Sequence, residues 1–321
     1  MIPHLPCTYS TISASDLLAK VLPGFCIDKP IKCLFWQRGA NDIYQVHTAE
    51  ALYYLRLYRS NAYPREACEF EVEALNYLHN KNCPVAYPIA QKSGGYLAEI
   101  QAPEGPRLAL LCAEAKGVVP DYKSLSDCQK VGESVAQFHL ASQDFTTDWQ
   151  RPKLDLRGLL DEPMNTIRTH LERHPKELKI LESIATELRA AVQSAPESSL
   201  DIGVVHGDLH GGNSHIHEGL VTHFDFEECA IGYRVYDIGT LKWGCAANNS
   251  EGWSAILQGY EAVKPLTDVE RSLINTFVLL REISEIAYGI RHVDYFGHGD
   301  IMATDAGDMS SRLKRIQKQL G

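Results

Sequence analysis

The sequence has no run approaching the roughly 18 consecutive apolar residues of a membrane span, so no membrane partner is expected. It has no surplus of positive charge either. Its 31 Lys and Arg stand against 41 Asp and Glu, a formal net charge of −10. That argues against a nucleic-acid partner, because counterion release from phosphates needs a basic face; it is compatible with a cationic small molecule. Residues 1–15 carry neither the basic n-region nor the apolar h-region of a secretory signal. The nine cysteines are odd in number, scattered and never spaced C-x-x-C. They suit reduced thiols packed as small hydrophobes, and a cytoplasmic location is expected.

What is present is ordinary globular material. The 321 residues, 45% hydrophobic and 22% charged, can bury a sizeable core in one large or two ordinary domains. The first third reads as a sheet with one helix. A short capped helix begins near Ser13 and stops at Pro23-Gly24. Strands are expected over Ile31–Trp36, Ile43–His47 and Leu52–Tyr58, with a turn at Gln37–Asp42. Alternation in the third puts Tyr54, Arg56 and Tyr58 on one face. A helix follows Pro64 with Phe70, Ala74, Leu75 and Leu78 as its apolar stripe. Tyr96–Ile100 and Arg107–Leu111 then form a hairpin. After about residue 120 the pattern becomes helical: Leu125–Ala141, Leu154–Arg173, Lys176–Ser194, Trp253–Tyr260, Val269–Arg291 and Asp305–Leu320. The expected division is therefore a sheet-bearing lobe over 1–113 and a helical lobe over 114–321, joined by a hinge at about 111–117. Within the first helical stretch, His139 reads as a packed core histidine.

The chemistry concentrates in Val204–Glu228. His206-Gly-Asp-Leu-His-Gly-Gly-Asn213 matches the catalytic-loop pattern H-R-D-L-x-x-x-N except for Gly207 in place of Arg. Asp225-Phe-Glu lies twelve residues beyond Asn213, in the place of D-F-G, with a hairpin between. In this pattern Asp208 accepts or orients the proton of a substrate hydroxyl. Asn213 and Asp225 offer oxygens for a magnesium ion on nucleotide phosphates. The rival reading is a zinc site, since five histidines fall within residues 206–223. Their spacing is not H-E-x-x-H, and a surface hairpin tolerates them without metal.

On these motifs the chain resembles the superfamily of aminoglycoside phosphotransferases, choline kinases and type II homoserine kinases, relatives of the protein kinases. The similarity runs from about Leu34 to at least Trp243. It implies an α+β, two-lobed protein-kinase-like fold, with a small antiparallel-sheet N-lobe holding one helix and a larger, mainly helical C-lobe. It also implies ATP and Mg2+ as cofactors and a small-molecule hydroxyl as acceptor. By position, Gly39-Ala40-Asn41 resembles the loop over the phosphates. Arg56 takes the place of the strand lysine, and Glu71 that of its helix partner. Val204–Asn213 resembles the catalytic loop, with His206 supporting it, and Asp237 the aspartate that braces it. The run FDFEECAIGYRVYDIG is similar to choline kinases. Tyr53–Arg59 and Leu154–Leu171 look closer to type II homoserine kinase and the bacterial stress-response kinase.

Two departures stand out. Arg56 keeps the charge of the lysine but is bulkier and forked. Glu227 stands where many relatives have a second aspartate. Only eleven residues separate Asp225 from Asp237. A protein kinase carries a much longer peptide-docking segment there, so the gap favours a small acceptor. The stress-response kinase is similarly compact, so protein Ser/Thr phosphorylation stays open, as does an idle ATP-binding relative. Glu282, Glu285, Tyr288, His292 and Tyr295 are candidates to line an acceptor pocket, or else the polar face of an amphipathic helix.

Overall fold

The computed structural model describes residues 5–246, 249–293, 297 and 305–320. The chain forms two compact units. One holds the chain up to Gly117 with Phe145–Arg151 and Thr222–Glu227. The other holds Val118–Asp144, Pro152–Val221 and the chain from Glu228 on.

The first unit opens with α1 (Ala14–Asp16), where the Ser13 hydroxyl accepts from the Asp16 amide, satisfying one of the amides a helix start leaves unpaired. Strands β1 (Lys32–Arg38), β2 (Asp42–His47) and β3 (Leu52–Leu57) precede α2 (Arg65–Asn80), and β4 (Leu97–Ala102) and β5 (Gly105–Ala113) follow it. The five strands make one antiparallel sheet in the order β1-β2-β3-β5-β4. Arg56 therefore lies on the central strand, opposite Ile43 on one side and Leu110 on the other. Tyr44, Val46, Leu55, Leu57, Ala109 and Leu111 form the core under the sheet. Buried Arg107 ties strands to the N-terminal segment, donating to Asp42 Oδ2 at 3.1 Å and to the Ser10 carbonyl at 3.0 Å. The turn expected at 37–42 is shorter, because β1 continues to Arg38 and β2 starts at Asp42. The expected 111–117 connection begins while β5 is still running, to Ala113.

The second unit is mainly helical: α3 (Leu125–Ala141), α4 (Glu162–His170) and α5 (Pro175–Gln193) come first. Short strands β6 (Ile202–Val205), β7 (Ser214–His217), β8 (Leu220–His223) and β9 (Ala230–Tyr233) follow. The helices α6 (Arg234–Leu241), α7 (Ser250–Val263), α8 (Asp268–Arg291) and α9 (Ala306–Leu320) complete it. Its core includes Val131, Val135, Leu160, Ile167, Leu188, Phe277, Leu280 and Ile283. The helix expected from Leu154 starts later. Leu154 bridges to Gly232, and Asp155 Oδ1 takes the amides of Arg157 and Gly158, so the helical turns begin at Arg157.

The α3–α7 pairing matters for the site. A Cβ on Gly132 would lie 1.9 Å from the Ile256 carbonyl, and one on Gly259 would lie 2.1 Å from the Gln129 carbonyl. The two glycines let the backbones of the helices touch. That contact brings Tyr260 of α7 to His139 of α3, with 2.9 Å between the Tyr260 hydroxyl and His139 Nδ1.

Candidate active site

In the first unit a buried charge cluster surrounds Arg56. Its Nη1 donates to Glu71 Oε1 at 2.5 Å and its Nη2 meets Asp225 Oδ1 at 3.0 Å. The Tyr58 hydroxyl donates to the other Glu71 oxygen at 2.7 Å. Strand alternation explains why Arg56 and Tyr58 share this face, and Glu71 reaches it from the packed side of α2, fully buried. Burial works against the charge on Arg56, but Glu71, Tyr58, Asp225 and Glu227 more than offset it and raise its pKa well above the ordinary value. The forked guanidinium makes this arrangement: one nitrogen serves the helix carboxylate while another serves Asp225.

Asp225 sits at φ +66°, a left-handed conformation that a non-glycine residue adopts at some cost. The loop at Gly39–Asn41 is pinned. The Asn41 side chain donates to Glu227 and accepts from the Arg59 amide at 3.3 Å, while Arg59 Nε donates to the Ala40 carbonyl at 2.6 Å. Glu227, whose place in the sequence left its role open, is thus the buried partner of Asn41. A cavity of about 540 Å3 runs along the flank of α2, past Glu69, Asn76, His79, Tyr87 and Trp149; none of the predicted site residues lines it.

In the second unit β6 ends at Val205 and delivers the loop from His206 to Asn213. The loop backbone is held from below by Asp237 on α6: Oδ2 accepts from the His206 amide at 2.7 Å and Oδ1 from the Gly207 amide at 3.0 Å. Gly207 stands at φ +83°, and a Cβ there would lie 2.3 Å from the Glu228 carbonyl. The arginine of the H-R-D pattern could not occupy this backbone without rearrangement, which accounts for the glycine. Asp208 then presents its carboxylate with a donor on each oxygen. Arg281 Nη2 reaches Oδ1 at 2.5 Å, and Asn213 Nδ2 donates to Oδ2 at 3.1 Å. A second bond from Asn213 Nδ2 to the Asp208 carbonyl, at 2.9 Å, fixes its amide so that Oδ1 is the oxygen left to accept or ligate.

Asp237 has a further partner that the sequence did not disclose. His139 Nε2 lies 3.1 Å from its Oδ2, and both side chains are fully buried. Burial pushes the His139 pKa below the ordinary value, so the ring is neutral, accepts from Tyr260 through Nδ1 and donates to Asp237 through Nε2. Burial pushes the other way on Asp237, but the bonds from His139 and the His206 amide hold its carboxyl below the ordinary range. It is the histidine expected to be mere packing. Its signal was faint: a lone His on the apolar face of a helix.

Two further residues went unremarked, Arg281 and Trp243. Arg281 stands within the apolar run Val278-Leu-Leu-Arg-Glu-Ile283, where a charged residue calls for a partner. Of the acceptor-pocket candidates, Glu282 is not a solvated helix-face residue. It is fully buried, accepting from Trp243 Nε1 at 2.8 Å and pairing with Arg312 Nε at 2.6 Å. Glu285 is held by Arg281, and the Tyr288 and His292 rings meet at a tilt of 36° with centroids 4.1 Å apart. Tyr295 lies outside the described residues.

Residues 35–271 match the phosphotransferase enzyme family. The chain belongs to this family. It is a kinase, a phosphotransferase with an alcohol group as acceptor, and ATP binding follows from the family. A protein of Synechocystis sp. described as uncharacterized is 32% identical over 98% of this chain and 88% of its own length. A homoserine kinase of Xanthobacter autotrophicus is 27% identical over 73% of this chain and 72% of that one. Among solved structures, a microcompartment-associated aminopropanol kinase matches with a TM-score of 0.78 at 19% identity, covering 96% of this chain and 98% of its own. At that identity the likeness shows the fold, which is the kinase-like α+β fold expected from the motifs. No helix among the described residues is long and apolar enough to cross a membrane.

Proposed function

We propose that this kinase transfers the γ-phosphate of ATP, with magnesium, to a hydroxyl of a small molecule, an amino alcohol or a related hydroxylated amine. The acceptor reading rests on the stretch between Asp225 and Asp237. It is filled by a turn at Phe226–Glu228, the four residues of β9 and the first turn of α6. The long peptide-docking segment of a protein kinase has no counterpart there, which supports a small acceptor. The homoserine kinases among its relatives and the aminopropanol kinase among its structural neighbours are named for small hydroxylated amines, which supports the same class.

In this reading Asp208 orients the acceptor hydroxyl and takes its proton as the phosphoryl group transfers. Asn213 and Asp225 would hold the magnesium; an amide oxygen and a carboxylate are the hard oxygen donors that this ion takes. Bound there, the ion would neutralise charge on the phosphate oxygens. Arg56, oriented by Glu71, is the phosphate clamp, and the pinned Gly39–Asn41 turn covers the nucleotide. Asp237 and His206 support the loop. Arg281 of α8, stacked on Trp243, borders Asp208, and Glu285 beside it would be the carboxylate available to an amine.

The test is ADP release measured over a panel of hydroxylated amines, amino acids, sugars and antibiotics. Labelled ATP with cell extract is run in parallel and resolved both by gel and by metabolite chromatography. Label in a small metabolite and one preferred amine in the panel are expected. Label confined to protein bands would replace the small-molecule reading with a protein Ser/Thr kinase. Magnesium-dependent ATP binding without consumption on any acceptor would replace it with an idle nucleotide-binding protein.

A further inference from the structure

Arg281 reaches Asp208, and neither the motifs nor the family match supplies a role for it. It comes from the middle of α8, far in sequence from the catalytic loop. Only 8% exposed, its guanidinium nonetheless reaches Asp208 Oδ1 at 2.5 Å and the Gly207 carbonyl at 3.3 Å. Burial would push its pKa down, but Tyr236, Asp208 and Glu285 outweigh that and keep it charged.

Its own position is fixed from two sides. Glu285, one helical turn on, pairs with Nη2 at 2.6 Å. The Trp243 ring lies under the guanidinium, 5.3 Å from Cζ to the centroid. Trp243 is in turn fixed by its Nε1 bond to Glu282, which Arg312 of α9 neutralises. A long arginine side chain ordinarily samples many rotamers. This one is stacked, paired and buried, so it offers Asp208 a donor at a set place.

We propose that Arg281 is the positioning residue of the catalytic carboxylate. It holds Oδ1 of Asp208 while Asn213 holds Oδ2, which leaves one rotamer. In it, Oδ2 faces the acceptor hydroxyl with a lone pair to spare. It also supplies a compensating charge beside the loop, so that the half-buried carboxylates of Asp208 and Glu285 can share one neighbourhood. The arrangement is like that around metal-ligating histidines, where a partner one bond removed sets the orientation of the reacting group. The inference rests on Asp208 being the catalytic carboxylate.

The test is steady-state kinetics on Arg281→Met, Arg281→Ala and Arg281→Lys, with Asp208→Asn alone and combined with Arg281→Met. For Arg281→Met, kcat should fall by about tenfold to a hundredfold, the usual loss when such an outer partner is removed. KM for ATP should stay within about threefold, since uniform binding is untouched. Arg281→Lys should fall between wild type and Met, and added guanidinium should restore part of the Arg281→Ala rate but none of the Arg281→Met rate. Adding Arg281→Met to Asp208→Asn should cost little more, because the two act as a unit. An unchanged kcat, a rise in KM alone, or losses that multiply in the double variant would overturn the proposal. If Arg281→Met does not fold, the Lys variant and the guanidinium rescue decide. Full activity in Asp208→Asn would instead sink the assignment of the base, a result distinguishable from failure at Arg281.

Discussion

A buried ion pair is a poor source of stability but a strong source of dependence, because removing one partner strands the other. Arg56 and Glu71 are such a pair, the carboxylate fully buried and the guanidinium nearly so. Glu71→Ala should therefore cost about 3–5 kcal/mol of unfolding free energy, measured by urea denaturation. Glu71→Gln, which can still accept from Tyr58, should cost less. Equal and small losses in both would mean that Arg56 is satisfied by Asp225 alone.

His139 gives a second residue-scale prediction, with a definite sign. Its folded pKa is lowered from 6.5, so above that pH both states hold the ring neutral and the contribution is complete. As pH falls below 6.5 the unfolded chain takes up a proton that the folded one refuses, and stability declines. His139→Gln keeps a donor for Asp237 without a titrating group. Thermal melts between pH 7.5 and about pH 5 should show a shallower loss of Tm in His139→Gln than in wild type. Identical slopes would place the proton uptake on other histidines.

At the scale of elements, the catalytic loop is only as well placed as the helices beneath it. The backbone contact of α3 with α7 allows Tyr260 to fix His139, and His139 with Asp237 fixes the amides of His206 and Gly207. Gly132→Ala has no room for its methyl against the Ile256 carbonyl, so the helices must part. Overpacking of this kind typically costs about 1–3 kcal/mol. The variant should also lose kcat more than affinity for ATP, a pairing that measured Tm and kinetics would show. A stability loss with kcat intact would mean that the loop does not depend on the α3–α7 contact.

This scale also separates what the sequence disclosed from what it hid. The strand and helix order, the capped start at Ser13, the helix start after Pro64 and the helix over Leu125–Ala141 followed from periodicity and turn residues. So did the hairpin after Asn213, whose turn residues Glu218 and Gly219 both take positive φ. Asp208, Asn213, Asp225 and Asp237 were legible as candidates because their order along one stretch is a signature. His139, Trp243 and Arg281 were not, because each acts across a fold-level contact between segments far apart in sequence. No spacing rule records such a contact. Arg281 and Glu282 in an apolar run were the one local hint, a charged pair where a core stripe should continue.

For the molecule as a whole, the family membership and the kinase-like fold make phosphotransfer the activity, and the residues around Asp208 the place to test it. Asp208→Ala removes the proposed base and one bond to Asn213, whose amide keeps its bond to the backbone carbonyl at position 208. Turnover with the best acceptor from the panel should fall by about 10²–10⁴-fold, the usual contribution of a positioned base. Calorimetric affinity for magnesium ATP should stay within about threefold of wild type. Turnover within a few-fold of wild type would contradict the account, and so would loss of nucleotide binding together with activity.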